Sequence, residues 1–219
     1  RASTAPRGGS SSLRSYAAVQ EDDREPGQRE RAAANAEHAE APDRSPQPIY
    51  TIGHSTHPIA TFIAMLDAHG IETLVDVRTA PGSRRNPQFG KQALRQELAA
   101  AGIDYCHAQR LGGLRRPDAD SVNGGWRNES FRGYADYMQT GEFTSALDQL
   151  AELAGRGRTA IMCAEAVPWR CHRSLIGDAL LARGIPVIDI LPGARSRPHA
   201  LTPFARVAGA TVTYPPDAG

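Results

Sequence analysis

The rhythm of the chain changes at Pro48. From there on, short β-branched runs alternate with segments whose apolar residues recur at helical spacing. Ile49-Tyr50-Thr51-Ile52 predicts a first strand ending at Gly53-His54-Ser55. Pro58 suits a first helical position, and Ile59, Phe62, Ile63 and Leu66 follow on one face. A strand over 71–78, a helix from Lys91 and a strand over 103–107 come next. Residues 111–127, rich in Gly, Asp, Asn and Arg, read as loop. Phe131, Tyr134, Ala135 and Met138 predict one helix, and Phe143, Ala146, Leu147, Leu150 and Leu153 another, with Gly141 between them. Thr159-Ala160-Ile161-Met162 is apolar enough for the centre of a parallel sheet. A helix from Ser174 and a strand over 186–191 follow; beyond them, 201–207 predicts a short helix and 211–214 an edge strand.

Three junctions share one form. His69-Gly70-Ile71, Ala101-Gly102-Ile103 and Arg183-Gly184-Ile185 each end a helix on glycine and open a strand on isoleucine. Glycine past a helix end can take the left-handed conformation, and isoleucine suits a buried strand. The expected fold class is therefore α/β: a mostly parallel sheet of about five strands with helices on both faces, Rossmann-like in three layers. The strand order is not legible.

Residues 1–47 follow other rules. The first 20 are rich in Arg, Ser and Ala without acids, loosely like an organelle transit peptide, and 21–47 mix charges, Ala and Pro. Neither part has the apolar surface to offset the entropy of ordering, so a disordered tail is expected before a single domain over 48–215. The net charge of +1 argues against nonspecific binding to nucleic acid or to an anionic membrane, and no apolar run is long enough to span a bilayer or to act as a secretory signal. Three cysteines do not make a disulfide framework, which points to a reducing compartment, most simply the cytoplasm.

Ligands of open parallel sheets bind beyond the carboxyl ends of the strands. Four predicted strands end in polar or glycine-bearing signatures: Gly53-His54-Ser55, Asp76-Val77-Arg78, His107 leading to Leu111-Gly112-Gly113, and Cys163-Ala164-Glu165. After the last, Pro168-Trp169 shape a loop and Cys171-His172-Arg173 open a helix whose first-turn amides favour an anion. A thiol at such a place loses its proton more easily, as in phosphatase and sulfurtransferase loops, although Cys163 and Arg170 stand wider apart than in a compact phosphatase loop. The catalytic candidates are Cys163, Asp76, His54 and Glu165. The substrate-binding candidates are Arg78, Ser83, Arg84, Gly112, Gly113, Cys171, His172 and Arg173.

Plain structural readings stand beside these. Cys163 is equally a small buried residue, Glu165 a partner for Arg173, and Asp76 with Arg78 a salt bridge at the sheet end. No CxxC or HExxH occurs among the seven histidines and three cysteines, so no metal is expected. The cofactor and the oligomeric state are unknown.

Taken together, Tyr50-Thr51-Ile52-Gly53-His54-Ser55, Asp76-Val77-Arg78 with Pro81 and Ser83-Arg84, Leu111-Gly112-Gly113, Tyr134-Ala135-Asp136-Tyr137-Met138, and Cys163-Ala164-Glu165 with Cys171-His172-Arg173 resemble the DUF488 family, a domain of unknown function. The resemblance runs from about Ile49 to Leu191. It implies a fold and a site but no reaction.

Three functions fit the residues. The first is an enzyme on a phosphate-bearing small molecule, nucleotide or nucleic acid end, with Arg78, Arg84 and Arg173 on the anion and Asp76, His54, Glu165 or Cys163 in the chemistry. The second is a non-catalytic nucleotide or nucleic-acid binding module that stacks bases on Trp126 and Trp169. The third is a thiol-based redox or sulfur-transfer protein using Cys163 and Cys171. A small anionic ligand is the expected partner, and no membrane is.

Overall fold

The computed structural model describes residues 46–216 except 83 and 194, and the expected tail lies almost wholly outside them. Six strands form one sheet in the order β3-β2-β4-β1-β5-β6. They are β1 (Ile49–Gly53), β2 (Thr73–Asp76), β3 (Asp104–His107), β4 (Thr159–Cys163), β5 (Val187–Leu191) and β6 (Arg195–Pro198). The first five run parallel, and β6 returns antiparallel to β5. This edge strand is one more than the pattern suggested: Arg195-Ser196-Arg197-Pro198 is exposed throughout, so its sequence carries no apolar alternation.

Five helices cover the sheet: α1 (Ile59–Asp67), α2 (Lys91–Ala100), α3 (Glu129–Tyr137), α4 (Gly141–Ala154) and α5 (Arg173–Ala182). Alternate residues of each strand serve opposite faces. Ile52, Leu74, Ala160 and Met162 pack with Phe62 and Leu66 of α1 and Leu94 and Leu98 of α2. Ile49, Val75 and Ile161 pack on the other face with Tyr134 of α3, Leu147 and Leu150 of α4, and Leu175 and Ile176 of α5. The three glycine junctions have one geometry. Gly70, Gly102 and Gly184 all have positive φ, and the following isoleucine amides bond back to Leu66, Leu98 and Leu180. That is the left-handed cap in which a backbone bond spans the helix end.

The C-terminal prediction needs correction. No helix forms over 201–207; β7 (Arg206–Ala208) begins there instead, and the strand expected at 211–214 forms as β8 (Thr211–Thr213), paired with β7 in a separate hairpin. Its anchor is polar. The Tyr214 hydroxyl donates to Asp178 of α5 at 2.8 Å, and His199 bridges Asp178 and Asp189 at 3.1 Å each. Long-range partners of this kind leave no periodic trace.

Topology fixes where the strand order reverses. The chain leaves β1 toward the α1 face and leaves β4 toward the α5 face, and β1 and β4 are neighbours. This places the topological switch point of the sheet at their carboxyl ends, the usual binding position in an open α/β sheet. Among the described residues, no helix is long and apolar enough to cross a membrane.

Candidate functional site

A cleft of about 760 Å³ opens at this switch point. Its floor and near walls come from the loops after β1 and β4, its far side from the loop after β2, and its rim from Gly113, Leu114 and the start of α3. The loops after β1 and β4 stay zipped together beyond the sheet. The His54 amide donates to the Cys163 carbonyl at 3.0 Å and the Ser55 amide to Ala164 at 2.8 Å. Gly53 is required at this seam, because a β-carbon there would lie 1.8 Å from the Glu165 carbonyl oxygen.

Three of the predicted residues meet at the floor. Cys163 leaves β4, and Cys171 and His172 precede the first turn of α5. The two sulfurs and one imidazole nitrogen lie within 4.8 Å of one another. His172 Nδ1 is 3.9 Å from Cys163 Sγ and 3.7 Å from Cys171 Sγ. His172 Nε2 is 3.1 Å from the Val77 carbonyl, which can only accept. The ring therefore donates from Nε2, and in its neutral form turns the Nδ1 lone pair toward the sulfurs. Gly113 makes room for this, since a β-carbon there would sit 2.4 Å from Nδ1.

The two thiols act on each other. Interaction with Cys163 holds Cys171 well below the usual thiol range, and interaction with Cys171, with burial, pushes Cys163 up. Both cysteines are free and nearly buried.

Asp76 and Arg78 form the next layer. Asp76 is fully buried. Its Oδ1 accepts from Arg78 Nε at 2.9 Å and from the Arg78 amide at 3.0 Å, and its Oδ2 from Arg78 Nη2 at 2.6 Å and the Tyr105 hydroxyl at 2.8 Å. Every lone pair is occupied, and Asp76 does not line the cleft. It is a positioning residue for Arg78. Arg78 also donates to the Phe89 carbonyl at 2.9 Å and points Nη1 at His54 Nε2, 3.3 Å away, from the cleft wall.

His54 lines the cleft with both ring nitrogens engaged: Nδ1 meets the Ser55 carbonyl at 2.8 Å and Nε2 meets Arg78. It also stacks on Phe89 at 4.2 Å. Burial, aided by Arg78, lowers its pKa to about 4, so it is neutral at pH 7 and has no free nitrogen for a substrate proton.

The other arginines divide. Arg173 is fully buried and lies outside the cleft lining. It braces the floor, donating to Thr51 Oγ1 at 3.2 Å and to the Glu165 carbonyl. Arg84 is exposed and also outside the lining, and Ser83 falls outside the described residues. Arg170 stands outside the binding candidates named from sequence. It is exposed in the cleft wall, with no ion pair among the described residues. The carboxylate in the wall is Glu165, exposed and not paired with Arg173.

Gly112 and Gly113 act through close approach. A β-carbon on Gly112 would meet Thr79 Oγ1 at 2.5 Å. The Tyr134-Ala135-Asp136-Tyr137 motif holds this segment down. The Tyr134 hydroxyl donates to the Leu111 carbonyl at 2.9 Å and the Tyr137 hydroxyl to Arg110 at 2.7 Å. Asp136 accepts from Ser121, Asn123 and the Asp118 amide. Of the two tryptophans, Trp126 is packed among Phe131, Phe204 and Tyr214 and presents no platform for a base, whereas Trp169 is exposed under Arg197.

No curated protein and no solved structure matches this chain. The family described as a domain of unknown function, DUF488, matches residues 58–180, a span from α1 through β4 and its loop into α5. The chain belongs to the DUF488 family.

Proposed function

We propose that this chain is an enzyme acting on a small anionic molecule, phosphate-bearing compounds first among them, bound in the cleft above Cys163, Cys171 and His172. One observation carries the reading: a buried sulfur–imidazole cluster meets an open cleft whose walls present the side chains of Arg170 and Glu165, exposed and without an ion pair among the described residues. Structural clusters are normally sealed; this one faces a space large enough for a nucleotide-sized ligand. Arg170, supported by Arg78, holds the anion by charge-assisted hydrogen bonds. Glu165 is exposed and free to move a proton. The sulfur–imidazole floor supplies or activates the nucleophile.

The direct experiment is a turnover screen of nucleotides and sugar phosphates, paired with calorimetric titration of pyrophosphate. Saturable binding that weakens about tenfold in Arg170→Ala supports the reading, the loss being of the size of one charge-assisted contact. Binding of pyrophosphate indifferent to Arg170→Ala, with no turnover across the screen, sinks it.

A thiol-redox or sulfur-transfer role is the second reading, favoured by the contact between Cys163 and Cys171. It requires a Cys163–Cys171 disulfide under mild oxidation, seen as a two-hydrogen mass loss in one cross-linked peptide. Oxidation that leaves both thiols alkylatable removes it.

A further inference from the structure

We infer that Cys163, Cys171 and His172 form a binding site for one soft divalent metal ion of the zinc class. Three donors of the types zinc prefers converge within 4.8 Å. Two tetrahedral ligands at about 2.0–2.3 Å from a zinc ion lie roughly 3.5–3.8 Å apart, so the 3.7 and 3.9 Å between His172 Nδ1 and the two sulfurs are close to what a shared ion demands.

The surroundings are those of a metal ligand. His172 gives its other nitrogen to the Val77 carbonyl at 3.1 Å, which fixes the tautomer and aims Nδ1 inward. Ligating histidines nearly always carry such an outer partner. Gly113 leaves the Nδ1 side unobstructed, and the Tyr134 ring lies 5.0 Å from the imidazole and limits its rotation. No disulfide closes the pair.

The chain provides three donors and the cleft lies open above them. Three protein ligands with an open fourth position characterise catalytic rather than structural zinc sites. The site itself does not depend on how the cleft is read, but the role of the metal rests on the proposed enzymatic reading. A bound ion would activate a water at its open position for hydrolysis, with Glu165 in the cleft wall as the residue that would take the water's proton and return it to the leaving group, so that nothing would be oxidised or reduced.

The test uses the full chain stripped with chelator, then titrated with zinc and, separately, with cobalt(II). The expected result is one ion per chain, with cobalt giving the intense visible and thiolate charge-transfer bands of a tetrahedral sulfur–nitrogen site. Cys106, the third cysteine, stands outside the cluster, so Cys106→Ser binds as the parent does, whereas Cys163→Ser and His172→Ala lose affinity at least tenfold. Zinc also protects two of three thiols from alkylation in the parent chain, a readout independent of variant folding. No zinc uptake at micromolar concentration, octahedral cobalt spectra, or binding retained in both cluster variants overturns the site. Pyrophosphate binding that depends on Arg170 while zinc fails to bind would leave the enzymatic reading standing and remove the metal; zinc binding without any anion binding does the reverse.

Discussion

Gly113 lies so close to His172 that a β-carbon on it would fall 2.4 Å from Nδ1. The loop after β3, which supplies no reactive group, thus sets the position of the imidazole. Gly113→Ala must push the ring away from the sulfurs or tilt the loop off the sheet. We expect a loss of about 1–3 kcal/mol, the usual cost of overpacking, with a shift in the His172 ring resonances. Gly141→Ala is the matched control: it stands at the first turn of α4 with nothing within 4 Å, and is expected to stabilise by about 0.4–1 kcal/mol. Equal effects in urea denaturation would contradict the contact.

Asp76 is a buried counter-charge for Arg78. Asp76→Asn removes the charge and leaves Arg78 under-compensated, so a loss of about 3–5 kcal/mol is expected. Combining Asp76→Leu with Arg78→Met should recover part of that loss, since neither buried charge remains. A double variant less stable than Asp76→Asn would argue against this account of the pair.

Glu165 is exposed and makes no side-chain hydrogen bond or ion pair among the described residues, so its replacement tests chemistry with little effect on the fold. For any substrate found, Glu165→Gln is expected to lower kcat by about 10²–10⁴-fold, the range of general acid–base contributions, at unchanged Tm. A kcat within twofold of the parent removes Glu165 from the mechanism.

His199 makes stability depend on pH at the alkaline side. Burial alone would lower its pKa, but the flanking Asp178 and Asp189 win and raise it to about 9 from an ordinary 6.5. The folded state binds the proton more tightly than the unfolded state. Its stabilisation is therefore fully present below about pH 6.5 and is lost as pH rises through about 9. Unfolding free energies measured between pH 6 and 10 should fall across that window, and His199→Gln should flatten the fall. The same slope in parent and variant would exclude His199 as its source.

Much of the architecture is legible in local pattern. Gly70-Ile71, Gly102-Ile103 and Gly184-Ile185 announce their helix ends because a left-handed cap needs glycine and the strand behind it needs a buried β-branched residue. The gathering of His54, Arg78, Cys163 and Glu165 about one cleft follows from parallel strands ending together. What was illegible depends on partners far off in sequence. Asp76 and His54 look like free catalytic groups until Tyr105, Arg78 and the Ser55 carbonyl occupy them. Arg173 looks like an anion ligand until its burial against Thr51 is seen. The cluster of Cys163 with Cys171 and His172 has no CxxC spacing, because the loop 164–170 separates donors that the fold returns to one point. The edge strand β6 and the C-terminal hairpin are held by exposed backbone and by Tyr214 and His199, which no periodicity reveals.

The central claim is that the cleft over Cys163, Cys171 and His172 is where this protein binds its ligand. Backbone amide mapping of the full chain during a pyrophosphate titration tests it most directly. The account predicts saturable shifts in Ser55, Thr56, Thr79, Ala80 and residues 164–166, with the hairpin of β7 and β8 unmoved. Shifts centred instead on Trp126, His199 and Phe204, or none in the cleft at saturating ligand, would contradict it.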